Sequence, residues 1–167
     1  IKDVADAQLF HHGVHLGGFV QGCNFMLPRK TADRVGLFDP RFGAGGRFRA
    51  GEDTDYIIRA HGAGVPVHYV PDMLVLHRHG RRTLPEVESL NRGYAHANGA
   101  ILAKHVVRHP WLVKHLLWTL RSALRERFGG PPFDAEIGLT WRAVACDQFR
   151  GIRAFLAARF SGTELPS

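Results

Sequence analysis

The chain's character changes at Gly80, and that change constrains its fold more than any other feature of the sequence. Before it, glycine and proline cut the chain into short pieces, and residues 17–59 mix both charge signs. After it, residues 84–107, 111–128 and 139–160 read as helices, broken only at Pro110 and at Gly129-Gly130-Pro131-Pro132. Two regions with different jobs are expected.

Composition narrows the class. With 45% hydrophobic and 22% charged residues, the 167-residue chain matches an ordinary globular protein and not a disordered one. Lys and Arg number 22 against 15 Asp and Glu, a formal charge of +7, and much of the excess lies in the C-terminal third. A basic surface suits nucleic acid, anionic lipid or phosphorylated substrates. Cys23 and Cys146 are the only cysteines, too few for a disulfide framework or a multi-cysteine zinc site, and a reducing, cytoplasmic compartment fits best. No run of 18 apolar residues occurs, so no membrane-spanning helix is expected. The opening Ile1-Lys2-Asp3 has neither a methionine nor a signal-peptide pattern and reads as a cut from a longer protein.

The first part has the following pattern. His11, His12 and His15 read as solvated and not as a metal site, because no fourth ligand lies nearby. Residues 18–27 predict a strand ended by Pro28, and residues 32–35 a short helix capped by Thr31 and stopped by Gly36. The glycine-rich stretch from Phe38 to Arg49 predicts a long loop, functional or mobile. Glu52, Asp53 and Asp55 gather at the start of a helix that Gly62 and Gly64 close. Two short strands, residues 65–70 and 73–76, follow. Acids at a helix N-terminus need no function, since exposed N–H groups stabilise them anyway. The context on both sides raises the interest: a glycine-rich loop in front and a strand ending in histidine behind.

Five fragments in order bear a resemblance. They are Gly22-Cys23-Asn24-Phe25-Met26-Leu27-Pro28-Arg29-Lys30, Val35-Gly36-Leu37-Phe38-Asp39-Pro40-Arg41-Phe42, Gly51-Glu52-Asp53-Thr54-Asp55 with Arg59, the stretch from Gly64 through Tyr69-Val70-Pro71 to Val75-Leu76-His77-Arg78-His79, and Tyr94 with Gly99-Ala100-Ile101-Leu102-Ala103-Lys104-His105. Together, over roughly residues 17–108, they resemble the second half of a family 2 glycosyltransferase. The resemblance implies an α/β fold, the acceptor-side half of a GT-A domain over residues 1–83, with residues 84–167 as a basic helical appendage. It implies an inverting transfer from a nucleoside diphosphate sugar to a hydroxyl of a glycan or lipid-linked saccharide. Asp53 would be the general base, with Glu52 orienting the acceptor or the loop, and Asn24, Gly45, Gly46 and Arg49 would line the acceptor. His77, or alternatively His79, would complete a site for Mn²⁺ or Mg²⁺, an imidazole ligand favouring Mn²⁺.

Asp53-Thr54-Asp55 has the letters of the D-x-D motif that holds metal and diphosphate in GT-A enzymes, but that motif belongs at a strand end and this triplet opens a helix. The donor-binding half is therefore expected elsewhere, and the fragment alone is expected to be inactive.

The helical region suggests a second job. In residues 111–128, Val113, Leu116, Leu117, Leu120, Leu124 and Phe128 form a stripe at helical spacing. Lys114, Arg121 and Arg125 stack beside it, flanked by Trp111 and Trp118, and Arg142, Arg150, Arg153 and Arg159 repeat the theme in the last helix. Basic residues beside tryptophans suit an anionic membrane at the inner face of the plasma membrane. The competing expectation is an amphipathic helix packed on the catalytic domain. A wholly non-enzymatic reading, a basic module docking on membrane or a partner protein, stands as the alternative class. Nucleic acid is not expected: no recognisable binding motif occurs, and the aromatics lie on helices and not on a stacking sheet.

Overall fold

The computed structural model describes residues 8–10, 22–70, 72–77 and 80–161. These are mostly helical, with a single two-stranded antiparallel ladder; the larger sheet of an α/β half is not among them. The strands are β1 (Gln8–Phe10) and β2 (Val67–Tyr69), paired with Leu9 opposite His68. The helices are α1 (Arg29–Val35), α2 (Glu52–Gly62), α3 (Leu84–His105), α4 (Val113–Arg127) and α5 (Trp141–Phe160).

The three long helices sit close to their expected places because their ends are written into the sequence. Thr83 and Glu86 form a reciprocal capping box at α3, with Pro85 in the first turn. Thr140 accepts from Ala143 N at 3.1 Å to open α5. Glu126, at the end of α4, accepts from Trp141 N and Arg142 N and satisfies two more free N–H groups of α5.

The strand expectations for residues 22–27 and 73–76 are corrected; residues 18–21 lie outside the described set. Gly22–Asn24 is a 3₁₀ turn. Its polar groups bond elsewhere than in a ladder: Gly22 N donates to Asp53 Oδ2 at 2.9 Å, and Asn24 Nδ2 donates to Met73 O at 2.8 Å. Residues 73–77 have no regular structure, and Leu74 and Leu76 are 87% and 100% exposed. With no neighbouring strand among the described residues, alternation alone cannot hold a ladder. The expected strand 65–70 shortens to β2, and α1 begins at Arg29, with Pro28 just before it, no side-chain cap, and Thr31 inside the helix.

One core joins the two parts of the chain. Phe42 and Phe48 from the glycine-rich loop, Ile57 and Ile58 from α2, Ile101 from α3, Leu112 from the 3₁₀ turn before α4, and Phe155 from α5 pack together. The crossing of α3 and α5 depends on two glycines. A Cβ on Gly99 would overlap Gln148 O, and a Cβ on Gly151 would overlap His96 O, so each helix seats its backbone in the other's gap. Beside this crossing Asp147 is buried and accepts from Arg92 Nε at 2.8 Å and from Arg150 Nη1 at 2.6 Å. Burial raises the Asp147 carboxyl, but these two cations outweigh it and hold it below the usual carboxylate range.

The expected stripe of α4 behaves differently. Leu116 packs against the core, while Leu117, Leu120, Leu124 and Phe128 face solvent. The helix buries a narrower band that includes Thr119, whose hydroxyl satisfies itself on His115 O at 3.1 Å. The stripe thus packs in part: Leu116 meets the core, and its four remaining leucine and phenylalanine members are exposed. No helix of the described residues is long and apolar enough to cross a membrane.

Candidate functional site at the start of α2

The loop in front of α2 is fixed in place. Phe42 and Phe48 are buried as anchors, Phe48 N donates to Arg41 O at 2.8 Å, and Gly46 N donates to Gly43 O at 3.0 Å. The stretch expected as a functional or mobile loop is a wound turn folded onto the core. Gly51 ends it at φ +86°, a left-handed conformation, with Ile101 Cδ1 only 2.7 Å from where a Cβ would stand. Both the dihedral and the close approach to α3 require glycine.

The three acids that follow part company within one turn. Asp55 points inward and is fully buried. Its Oδ1 takes Lys104 Nζ at 2.6 Å and His105 Nε2 at 2.7 Å, and its Oδ2 accepts from Arg59 Nε at 3.0 Å. Lys104 Nζ also donates to Asp39 Oδ2 at 2.7 Å, and Asp39 is gripped in turn by the Arg41 guanidinium and backbone N–H. Arg59 reaches on to Val35 O and Leu37 O, closing the end of α1. Burial raises the Asp55 and Asp39 carboxyls, yet their partners win, His105 and Lys104 for Asp55, Arg41 and Lys104 for Asp39, and both lie below the usual carboxylate range. A buried network of this kind is costly to interrupt, because removing one member leaves the others desolvated and unpaired.

Asp53 points the other way and stays partly exposed. Its Oδ1 accepts from Thr54 N at 2.7 Å and its Oδ2 from Gly22 N at 2.9 Å, so the 3₁₀ turn lies against the carboxylate. Glu52 is also partly exposed, and its carboxyl carbon would be 3.1 Å from a Cβ on Gly43. Tyr94, on α3, shares this surface. Burial first, and the charges of Asp53 and Glu52 with it, push its phenol above its ordinary pKa against the pull of Arg81. The arrangement can accept a hydrogen bond or a proton from a hydroxyl brought to Asp53, with an aromatic ring nearby.

The other expected site residues fall around this turn unevenly. Asn24 lies in the Gly22–Asn24 turn beside Asp53, but its amide nitrogen clamps residue 73. A Cβ on Gly45 would meet nothing within 4 Å, whereas Gly46 is jammed against the backbone of Arg41 and Phe42. Arg49 is exposed with φ 64°, a left-handed position unusual for a residue with a side chain. It sits close enough to His96 to lower that imidazole's pKa, after the larger effect of burial. His77 is exposed on the irregular segment after residue 73, and His79 lies outside the described residues, as do His11, His12 and His15. Among the described residues no three His, Cys, Asp or Glu side chains come together to hold a metal ion.

Sequence reasoning missed the inward half of this site. Asp55 stands there only as one of the acids at a helix start and as part of a fragment with misplaced D-x-D letters, and Asp39, Lys104 and His105 only within fragments of a resemblance. The signal was present: Arg59 follows Asp55 at i+4, and Lys104-His105 closes a helix with two adjacent cationic or polar side chains. Comparison with protein-family models, with curated proteins and with solved structures finds no match to this chain.

Proposed function

We propose that the chain is the acceptor-side part of an inverting, GT-A-type glycosyltransferase of family 2, with an α/β domain completed by a nucleotide-binding half outside these residues. The observation that carries the reading is the division of acids at the start of α2. Asp55 is fully committed to Lys104, His105 and Arg59, so Asp53 and Glu52 are the carboxylates left at a surface beside a glycine-rich turn. In the proposed reaction an acceptor hydroxyl oxygen attacks the anomeric carbon of a nucleotide-sugar. Its proton passes to the Asp53 carboxylate, and the bond from that carbon to the diphosphate breaks with inversion. Thr54 N and Gly22 N hold the carboxylate in place. Glu52 and the turn carrying Gly45, Gly46 and Arg49 position the acceptor, a glycan or lipid-linked saccharide. Asn24 acts by fixing the 3₁₀ turn.

The described residues do not by themselves form a metal site. A divalent cation, Mn²⁺ or Mg²⁺, belongs to the reading only as an ion shared with the nucleotide-binding half, with His77 or His79 as this chain's contribution. Two exposed free cysteines, Cys23 and Cys146, support a cytoplasmic setting.

The test is sugar transfer by the protein joined to a nucleotide-binding half, measured over a panel of nucleotide-sugars. Asp53→Asn is expected to lower transfer by about 10² to 10⁴ with donor binding unchanged. Transfer within threefold of the unsubstituted protein would remove Asp53 as the base.

A further inference from the structure

Helix α4 turns an apolar face to solvent. Leu117, Leu124 and Phe128 are 58%, 59% and 81% exposed, and Leu120, also exposed, lies between them on the same side. At 100° per residue, Lys114, Arg121 and Arg125 form the adjoining band, and all three are exposed. Trp118, on the far side of that band, is exposed as well. None of the three cations bonds to a carboxylate among the described residues. In contrast, Arg41, Arg59, Arg92, Lys104 and Arg150 each do. The one acid of α4, Glu126, is turned to the N-terminus of α5. The face is therefore wholly cationic and apolar.

We propose that this face of α4 docks on an anionic lipid bilayer, by an attachment that does not depend on the reaction proposed above. The combination selects its partner. A second copy set against this face would bring Lys114, Arg121 and Arg125 against their own equivalents with no acid between them. Nucleic acid phosphates would meet the cations but leave four apolar side chains in water. A lipid surface takes both: leucine and phenylalanine enter the boundary between headgroups and acyl chains, the cations meet the phosphates, and tryptophan suits the interface.

The experiment is co-sedimentation of the chain with vesicles of phosphatidylserine and phosphatidylcholine, against vesicles of phosphatidylcholine alone. Binding is expected to the anionic vesicles only and to weaken as salt rises, because screening acts over about 8 Å at 0.15 M. Lys114→Gln, Arg121→Gln and Arg125→Gln together are expected to weaken it about a hundredfold, at roughly fivefold per cation near the surface. Leu117→Ser with Leu124→Ser and Phe128→Ser is expected to weaken it while the salt dependence persists. All six positions are exposed, and circular dichroism checks that the helices remain. Equal binding to neutral vesicles, no sedimentation at low salt, or full binding by the glutamine variant overturns the proposal. A dimer in light scattering that the serine variant dissolves also overturns it, assigning the face to a second copy.

Discussion

The junction of α2 with α3 and the outer face of α4 use the same side chains to opposite ends. At the junction, Arg41, Arg59 and Lys104 each face a carboxylate, and Phe42 and Ile101 are buried beside them. On α4, Lys114, Arg121 and Arg125 face none, and the leucines beside them are in water. Basic residues within reach of buried acids build the structure; basic residues with no acid in reach are free to serve something outside the chain. Composition and charge do not separate these cases, because they depend on which residues the fold brings opposite one another.

The comparison breaks most visibly at Lys104. Lys104→Met removes the shared cation from Asp39 and Asp55 and leaves Asp55 buried with one positive partner fewer. Unfolding by denaturant is expected to show a loss of about 3–5 kcal/mol, the cost of stranding a buried charge. A loss below about 1 kcal/mol would put these carboxylates in the class of surface pairs.

Two glycines in α3 give the next largest effect, with opposite signs. Gly99→Ala forces a methyl against Gln148 O and is expected to cost about 1–3 kcal/mol or more, despite alanine's better helix propensity. Gly93→Ala, where a Cβ meets nothing within 4 Å, is expected to stabilise by about 0.5–1 kcal/mol. The same substitution six residues apart thus reports whether α5 crosses at Gly99, read from the two denaturation midpoints.

Acid sharpens the contrast. The Asp39, Asp55 and Asp147 carboxyls lie below their unfolded values, so their stabilisation is fully present above about pH 4–5 and is lost as pH falls towards their folded values. Melting temperature is expected to hold through neutral pH and drop below about pH 4. In Lys104→Met that acid-induced drop is expected to be shallower. The smallest effect belongs to α4: Lys114→Gln, Arg121→Gln and Arg125→Gln together are expected to leave stability within about 0.5 kcal/mol, since they bond to no carboxylate. A larger loss would mean these cations build the fold after all.

Helices were legible where the chain carries its own end signals. Thr83 with Glu86 and Thr140 are local, so α3 and α5 fell within a residue or two of their expected bounds. The strand expectations failed at residues 73–76, because a strand needs a partner that periodicity cannot supply. The apolar stripe of α4 is legible as a stripe, but its orientation is not, since that depends on which band of the helix meets the rest of the fold. At the candidate site, the gathering of acids after Gly51 was visible. Which acid turns inward was not, since that depends on Lys104 and His105 arriving from about fifty residues away.

The central claim is that Asp55 serves the structure and Asp53 serves the surface. Denaturant unfolding of Asp55→Asn and Asp53→Asn, side by side in the same chain, tests it most directly. Asp55→Asn removes the charge that Lys104, His105 and Arg59 surround and is expected to cost about 3 kcal/mol or more. Asp53→Asn keeps an oxygen for the Gly22 and Thr54 N–H groups and is expected to cost less than about 1 kcal/mol. Equal losses, or a larger loss for Asp53→Asn, would contradict the account.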